Sequence, residues 1–177
     1  MRFVDFLRVT VLLSAAAASL LAVICVLGAA SEGNTTVVFL SAGWWTIASA
    51  IGLLLGRRAA VTPPIGRLLA EARAATMMPE HKPLATIANR LWPLLLSSAA
   101  AAVAAFFAPQ VAGIAAGFAI VWALAWRQQD AAVQAIEERD GVTFFVEQSS
   151  PVRPMSLVRI PGFRREIPTI PTAGSAS

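Results

Sequence analysis

The chain has 177 residues, of which 57% are hydrophobic and 14% are charged, and its formal net charge is +4. Soluble domains carry about 45–50% apolar and about 25% charged residues, so this composition argues against an ordinary soluble domain and favours an integral membrane protein. The basic residues are not concentrated on a module with an aromatic stacking surface, which argues against nucleic-acid binding.

Four apolar runs predict four membrane-spanning helices. The first, residues 9–30, carries no charge and at about 1.5 Å per residue crosses a hydrocarbon core of about 30 Å. A cleaved signal peptide over residues 1–30 is the alternative, because Gly28 to Ala30 resemble a small-residue cleavage site. The length of the run and Asp5 in the head favour an uncleaved span. The other predicted spans are residues 37–55, 93–108 and 111–126.

Short connections join these spans into two helical hairpins. Residues 12–18 resemble residues 95–101, and either a duplicated hairpin or alanine-rich low complexity explains the likeness. Residues 84–89 have a helical pattern that Pro93 interrupts, so we expect a bend near Trp92 and the third span to begin at Pro93.

Two G-x-x-x-G pairs predict close helix packing, because small residues let backbones approach where lipid supplies no hydrophobic drive. Gly52 and Gly56 form one pair, and Gly113 and Gly117 form the other. The pairs lie at opposite membrane depths, so we expect each to need a separate partner helix.

The tryptophans divide into two groups. Trp44 and Trp45 lie deeper than an interfacial belt, which predicts that at least one ring packs between helices, with a thin or tilted membrane that places it at the boundary as the alternative. Trp92, Trp122 and Trp126 are expected at the inner interface.

The polar loop of residues 57–90 separates the two apolar halves. Thr62 as N-cap and Pro63 at the first helical position predict a short amphipathic helix. Its apolar face comprises Ile65, Leu68, Leu69, Ala72 and Thr76. The helix is expected either to lie on the membrane surface or to pack on the protein's own cytoplasmic parts. On the membrane surface, four arginines would face anionic lipid headgroups: Arg57, Arg58, Arg67 and Arg73.

The last part of the chain predicts a cytoplasmic unit over residues 127–165. A helix follows the fourth span and ends at Asp140 and Gly141, and two short strands then form a small β-hairpin. Because an isolated hairpin is marginal in water, its apolar residues need a cover. We expect the membrane surface, the central loop, a second copy or another protein to cover Phe144, Phe145, Val158 and Phe163. Residues 166–177 are predicted to be a disordered tail.

The distribution of charge predicts the orientation. All fourteen Lys and Arg residues lie in the head, the central loop or the tail, and thirteen of them are Arg, a bias typical of GC-rich bacterial sequences. The positive-inside rule places both termini and the loop in the cytoplasm of a multi-pass inner (plasma) membrane protein. The fold class is therefore an all-α membrane domain over residues 1–126, with a cytoplasmic amphipathic helix and a C-terminal β-hairpin.

Residues typical of catalysis or transport are scarce. The four apolar runs contain no Asp, Glu, Lys, Arg, His, Asn or Gln, which disfavours an ion-coupled transporter. No nucleotide-binding, zinc-protease or serine-hydrolase motif occurs. His81 has no metal-binding partners, and Glu137, Glu138 and Asp140 are typical of a solvated acidic helix end. We therefore predict no enzyme, no cofactor and no metal site.

Three functional hypotheses follow. The first is an accessory, scaffold or self-associating subunit of a membrane complex, whose partner is another copy or another membrane protein. The second is a small oligomeric channel or transporter, for which only serines and threonines such as Ser14, Thr46 and Ser97 offer a polar lining. The third is a protein that engages anionic lipid through the loop arginines.

Overall fold

The computed structural model describes residues 1–57, 60–74, 83–147 and 155–161, with the side chain of Pro83 left aside. Most of these residues are helical, and four helices are long and apolar enough to cross a membrane, as predicted. The elements are α1 (Phe3–Ser31), α2 (Thr35–Leu55), α3 (Pro63–Ala70), β1 (Arg73–Ala74), α4 (Pro83–Ala104), α5 (Pro109–Trp126), α6 (Gln129–Asp140), β2 (Val142–Val146) and β3 (Leu157–Pro161).

The predicted ends of two spans are corrected. Helix α1 begins at Phe3 instead of residue 9, because Phe3 and Leu7 are buried in a core beside the sheet. Helix α4 runs through Pro93, so the predicted start of the span at this proline is wrong. A membrane-type helix tolerates an internal proline when its neighbours and local adjustments satisfy the freed backbone groups.

Helix α5 is the centre of the bundle. Both α1 and α2 pack along it, whereas α4 touches α1 and α5 over shorter stretches. The side of α5 that faces its neighbours consists of small residues, which let the helices approach closely. The buried alanines are Ala112, Ala116, Ala119 and Ala123. The consecutive helices of the two predicted hairpins do contact each other, α1 with α2 and α4 with α5, but the most extensive packing joins α1 and α2 to α5.

The predicted hairpin is present and belongs to a larger sheet. Strands β2 and β3 are antiparallel, with Phe145 opposite Val158, and β1 from the central loop pairs in parallel with the other edge of β3. The N-terminus joins the free edge of β2, where Val146 N donates to Met1 O at 3.0 Å. Arg2 forms an isolated antiparallel bridge with Phe145 at the same edge.

One core joins these segments at a single end of the bundle. It contains Phe3, Val4, Phe6, Leu7, Ile65, Leu91, Val133, Phe144, Val146 and Leu157. We call residues 1–7, α3, α6 and the sheet the cap. A second, smaller core of Leu21, Cys25, Ala105, Ala112 and Ala116 lies within the spans. Helix α1 contributes to both cores.

Helix α3 packs on the protein itself. Ile65 is buried, and Leu68, Leu69 and Ala72 lie against the same core. Of the two predicted arrangements, the structure has the one in which this helix packs on other parts of the protein instead of lying on the membrane surface. Thr62 occupies the predicted N-cap position, but its side chain makes no capping hydrogen bond. Thr76 and residues 166–177 lie outside the described part of the chain.

Candidate functional site

A buried carboxylate joins the N-terminus to α6 and to the sheet. Glu137 on α6 is only 5% exposed, and its Oε2 accepts a hydrogen bond from Arg2 Nη2 at 2.9 Å. Its Oε1 accepts from the backbone N–H of Phe144 at 2.8 Å. Both carboxylate oxygens are thus used for structure, and the prediction of a solvated Glu137 is wrong. Glu138 and Asp140 are exposed, as predicted, and a hydrogen bond from Arg139 lowers the pKa of Asp140.

A second polar contact holds the central loop on α6. Gln129 is buried at 3% exposure, its Oε1 accepts from Thr62 N at 3.0 Å and its Nε2 donates to Ala60 O at 3.3 Å. Because one side chain satisfies both a backbone donor and a backbone acceptor, it fixes the path of the chain into α3. Arg8 and Asp130 add an exposed ion pair between α1 and α6 at 2.9 Å.

Both deep tryptophans bind the backbone of α5. Trp45 Nε1 donates to Gly113 O at 2.8 Å, and Trp44 Nε1 donates to Ile114 O at 3.2 Å. The prediction that at least one ring packs between helices is confirmed. An indole N–H has no water to bind within a bilayer, so these two carbonyls satisfy it there.

The two glycine pairs lie on one interface, between α2 and α5. A Cβ at Gly52 would come within 2.7 Å of Leu124 Cβ, and one at Gly56 would meet Leu124 O. A Cβ at Gly113 would come within 2.5 Å of Ser41 Oγ. One at Gly117 would overlap the indole of Trp44. Each pair has its own partner helix, as expected, because α5 lies opposite Gly52 and Gly56 whereas α2 lies opposite Gly113 and Gly117.

Several hydroxyl groups in the apolar helices bond to carbonyls of their own helix, whereas Ser41 Oγ lies 3.4 Å from Cys25 Sγ on the neighbouring helix. Ser14 Oγ donates to Thr10 O at 2.8 Å, Thr46 Oγ1 to Ala42 O at 2.9 Å and Ser97 Oγ to Leu94 O at 3.0 Å. Each of these three hydroxyls therefore donates its only proton to a carbonyl of its own helix. A pore lining built from these groups would offer acceptors but few free donors, which weakens the channel hypothesis.

Helix α4 is flanked by two open grooves. The α4–α5 groove, about 330 Å³, is lined by Leu21, Leu94, Ser97, Ser98, Ala115, Phe118, Ala119 and Trp122. The α1–α4 groove, about 420 Å³, is lined by Ile24, Leu27, Gly28, Ser31, Glu32, Ala102, Ala105 and Phe106. The remaining side of α4 exposes large apolar residues that include Leu96 and Val103, as expected of a surface in lipid.

The predicted partner surface lies inside the chain. Phe144, Phe145 and Val158 are buried, and α1, α6 and the central loop cover the sheet they belong to. The central loop, one of the covers expected from the sequence, is therefore present on the sheet, together with α1 and α6. These three residues are covered, as expected, but by segments of the chain itself instead of by a partner, and Phe163 lies outside the described residues.

The predicted headgroup arginines stay on the surface. Arg57, Arg67 and Arg73 are exposed, and Arg58 lies outside the described residues. His81 also lies outside them. Within the described ranges no group of three His, Cys, Asp or Glu side chains is arranged to hold a metal ion.

Four helices that are apolar enough to cross a membrane indicate a membrane protein, with a small cap at one end of its bundle. Family models, curated proteins and solved structures offer no match to this chain. The sequence did not indicate either groove, because a groove depends on the spacing between α4 and its neighbours. The roles of Arg2 and Gln129 were missed as well, because their partners are distant in sequence.

Proposed function

We propose that the protein is an accessory or self-associating subunit of a membrane complex, and that a transmembrane helix of its partner lies in the α4–α5 groove. The observation that supports this most strongly is the composition of the groove. Ser97, Ser98, Ala115 and Ala119 are small residues on two facing helices. Small residues at such a surface allow a further helix to approach closely, and packing is the main force for helix association in lipid.

The packing of α4 supports the same proposal. Leu91 holds this helix to the cap at one end, and Ala105 holds it to the second core at the other. Between these two points Leu94, Ser97 and Ser98 line an open groove instead of a packed interface. A partner helix in this position would complete the contact between α4 and α5.

We further propose that the membrane is the inner (plasma) membrane, with the cap and both termini in the cytoplasm. Arg2, Arg8, Arg57 and Arg127 all lie at the cap end of the described helices, whereas Glu32 is the only charged residue at the opposite end. This asymmetry is the one that the positive-inside rule associates with cytoplasmic loops.

The mass and composition of the purified particle test the proposed role. We expect the tagged protein, isolated in mild detergent, to carry a stoichiometric companion or a second copy. Ser97→Trp, which fills the groove, should release it. Ala99→Trp adds the same bulk to an exposed position outside the groove lining and should leave the particle intact. A monomer without companions would contradict the proposal, as would a particle that neither variant changes.

A second candidate, binding of anionic lipid at the cap end of the bundle, is favoured by the exposure of Arg57, Arg67 and Arg73. Basic groups near an anionic membrane surface contribute about 1 kcal/mol each, and salt screens them. We expect the full chain, reconstituted in nanodiscs, to recruit anionic lipid less strongly after all three arginines are changed to Gln. An unchanged lipid composition around this triple variant would exclude the candidate.

A further inference from the structure

We propose that the α1–α4 groove binds one acyl chain of a phospholipid whose headgroup carries a primary ammonium, and that Glu32 binds this ammonium. Most of the lining is apolar, and its polar side chains stand together at one end, which we call the mouth. The apolar lining includes Ile24, Leu27, Ala102 and Ala105, and Ser31 and Glu32 lie at the end of α1. An amphiphile has the same division between chain and headgroup.

The polar chemistry of the mouth selects the headgroup. Ser31 Oγ donates its proton to Gly28 O at 2.8 Å, which leaves the hydroxyl oxygen as an acceptor only. An ionised Glu32 also offers acceptors only. No Lys or Arg lies between Arg8 and Arg57 or between Arg90 and Arg127, so neither of the two helices brings a basic residue to this end. A primary ammonium, with three N–H donors and a positive charge, complements this mouth, whereas an anionic headgroup without an amine does not.

The size of the groove suits a lipid chain. Its volume of about 420 Å³ falls in the range of roughly 300–1,000 Å³ typical of small-molecule sites. Glu32 also ends a membrane-length helix, which places its carboxylate at the depth of lipid headgroups.

Glu32 is available for such a contact. Its side chain is exposed and forms no ion pair with any residue in the described ranges. Its backbone N–H is already used, donating to Gly28 O at 3.3 Å, so the residue is anchored while its carboxylate remains free. The contact requires nothing from the α4–α5 groove, and it is therefore independent of the proposed partner site.

Native mass spectrometry of the full chain tests the proposal, with phosphatidylethanolamine and phosphatidylglycerol of identical acyl chains added in equal amounts to mixed micelles. Because exposed ion pairs contribute about 0.2–1 kcal/mol, we expect the wild type to retain phosphatidylethanolamine about 1.4- to fivefold more strongly. Glu32→Gln should remove this preference and still retain lipid. Glu138→Gln, which changes an exposed carboxylate on the cap, should preserve the preference.

A second pair of variants tests the groove itself. Ala102→Trp fills the groove and should abolish the retained lipid, whereas Ala100→Trp, at an exposed position outside the lining, should not. Equal retention of both headgroups by the wild type would overturn the proposal, and so would a preference that survives Glu32→Gln. Loss of a bound protein instead of a lipid in Ala102→Trp would also overturn it. Ser97→Trp should leave lipid retention unchanged.

Discussion

The guanidinium of Arg2 lies 2.9 Å from the carboxylate of Glu137, although the two residues are 135 positions apart in the chain. The same carboxylate binds the backbone N–H of Phe144 at the start of the sheet. The second residue of the chain, the last turn of α6 and strand β2 therefore meet at one buried group. This contact closes the cap around the first turn of α1.

Loss of Glu137 should destabilise the cap more than loss of Arg2. Glu137→Ala leaves the buried N–H of Phe144 without its acceptor, which costs about 1–3 kcal/mol. Arg2→Ala removes only one of the two hydrogen bonds that this buried carboxylate accepts, and because the guanidinium is 50% exposed we expect a smaller cost of about 1 kcal/mol. Thermal unfolding followed by tryptophan fluorescence in detergent measures both. Glu138→Ala is the control with little effect, and equal losses for all three variants would rule out the special role of Glu137.

Gln129 should be required for the position of the central loop. Gln129→Ala leaves Thr62 N and Ala60 O without their partner, and we expect about 1–3 kcal/mol of destabilisation. The loop around residue 60 should also become more accessible to protease. Gln134→Ala, on the exposed side of α6, removes only a contact with Glu138 and should leave protease resistance unchanged. Identical digestion of the two variants would show that Gln129 does not hold the loop.

Gly117→Ala should separate α2 from α5. A Cβ at this position overlaps the indole of Trp44, and such overpacking typically costs about 1–3 kcal/mol. A Cβ at Gly43, which also lies in a helix, meets no atom within 4 Å. Gly43→Ala should therefore be neutral or stabilise the helix by up to about 1 kcal/mol. The thermal midpoint and the fluorescence of Trp44 report both changes, and a Gly117→Ala variant as stable as Gly43→Ala would contradict the close approach.

The main features of the membrane bundle could be predicted because they depend on local sequence. The uncharged runs identify the four long helices, and the proline after Thr62 identifies the start of α3. The ends of the helices were less predictable. Polar residues such as Arg2 and Asp5 indicated a head outside the helix, yet Phe3 and Leu7 are buried and extend α1 to the start of the chain.

The contacts between distant segments could not be predicted. Pairing of Arg73 with Val158, or of Arg2 with Phe145, leaves no periodic pattern in either segment. The sequence indicated that the hairpin needs a cover but not which one, because the cover comes from three separate parts of the chain. Each glycine pair was recognised from its spacing, but spacing does not reveal which helix lies opposite.

Labelling of single cysteines on opposite ends of the bundle tests the central claim, that the four helices span a membrane with the cap in the cytoplasm. In a Cys25→Ala background, one variant carries Glu32→Cys and the other Glu138→Cys, both at exposed positions. A membrane-impermeant maleimide should label the residue-32 thiol in intact cells and the residue-138 thiol only after permeabilisation. Labelling of both thiols in intact cells, of neither, or of the residue-138 thiol alone would contradict this account.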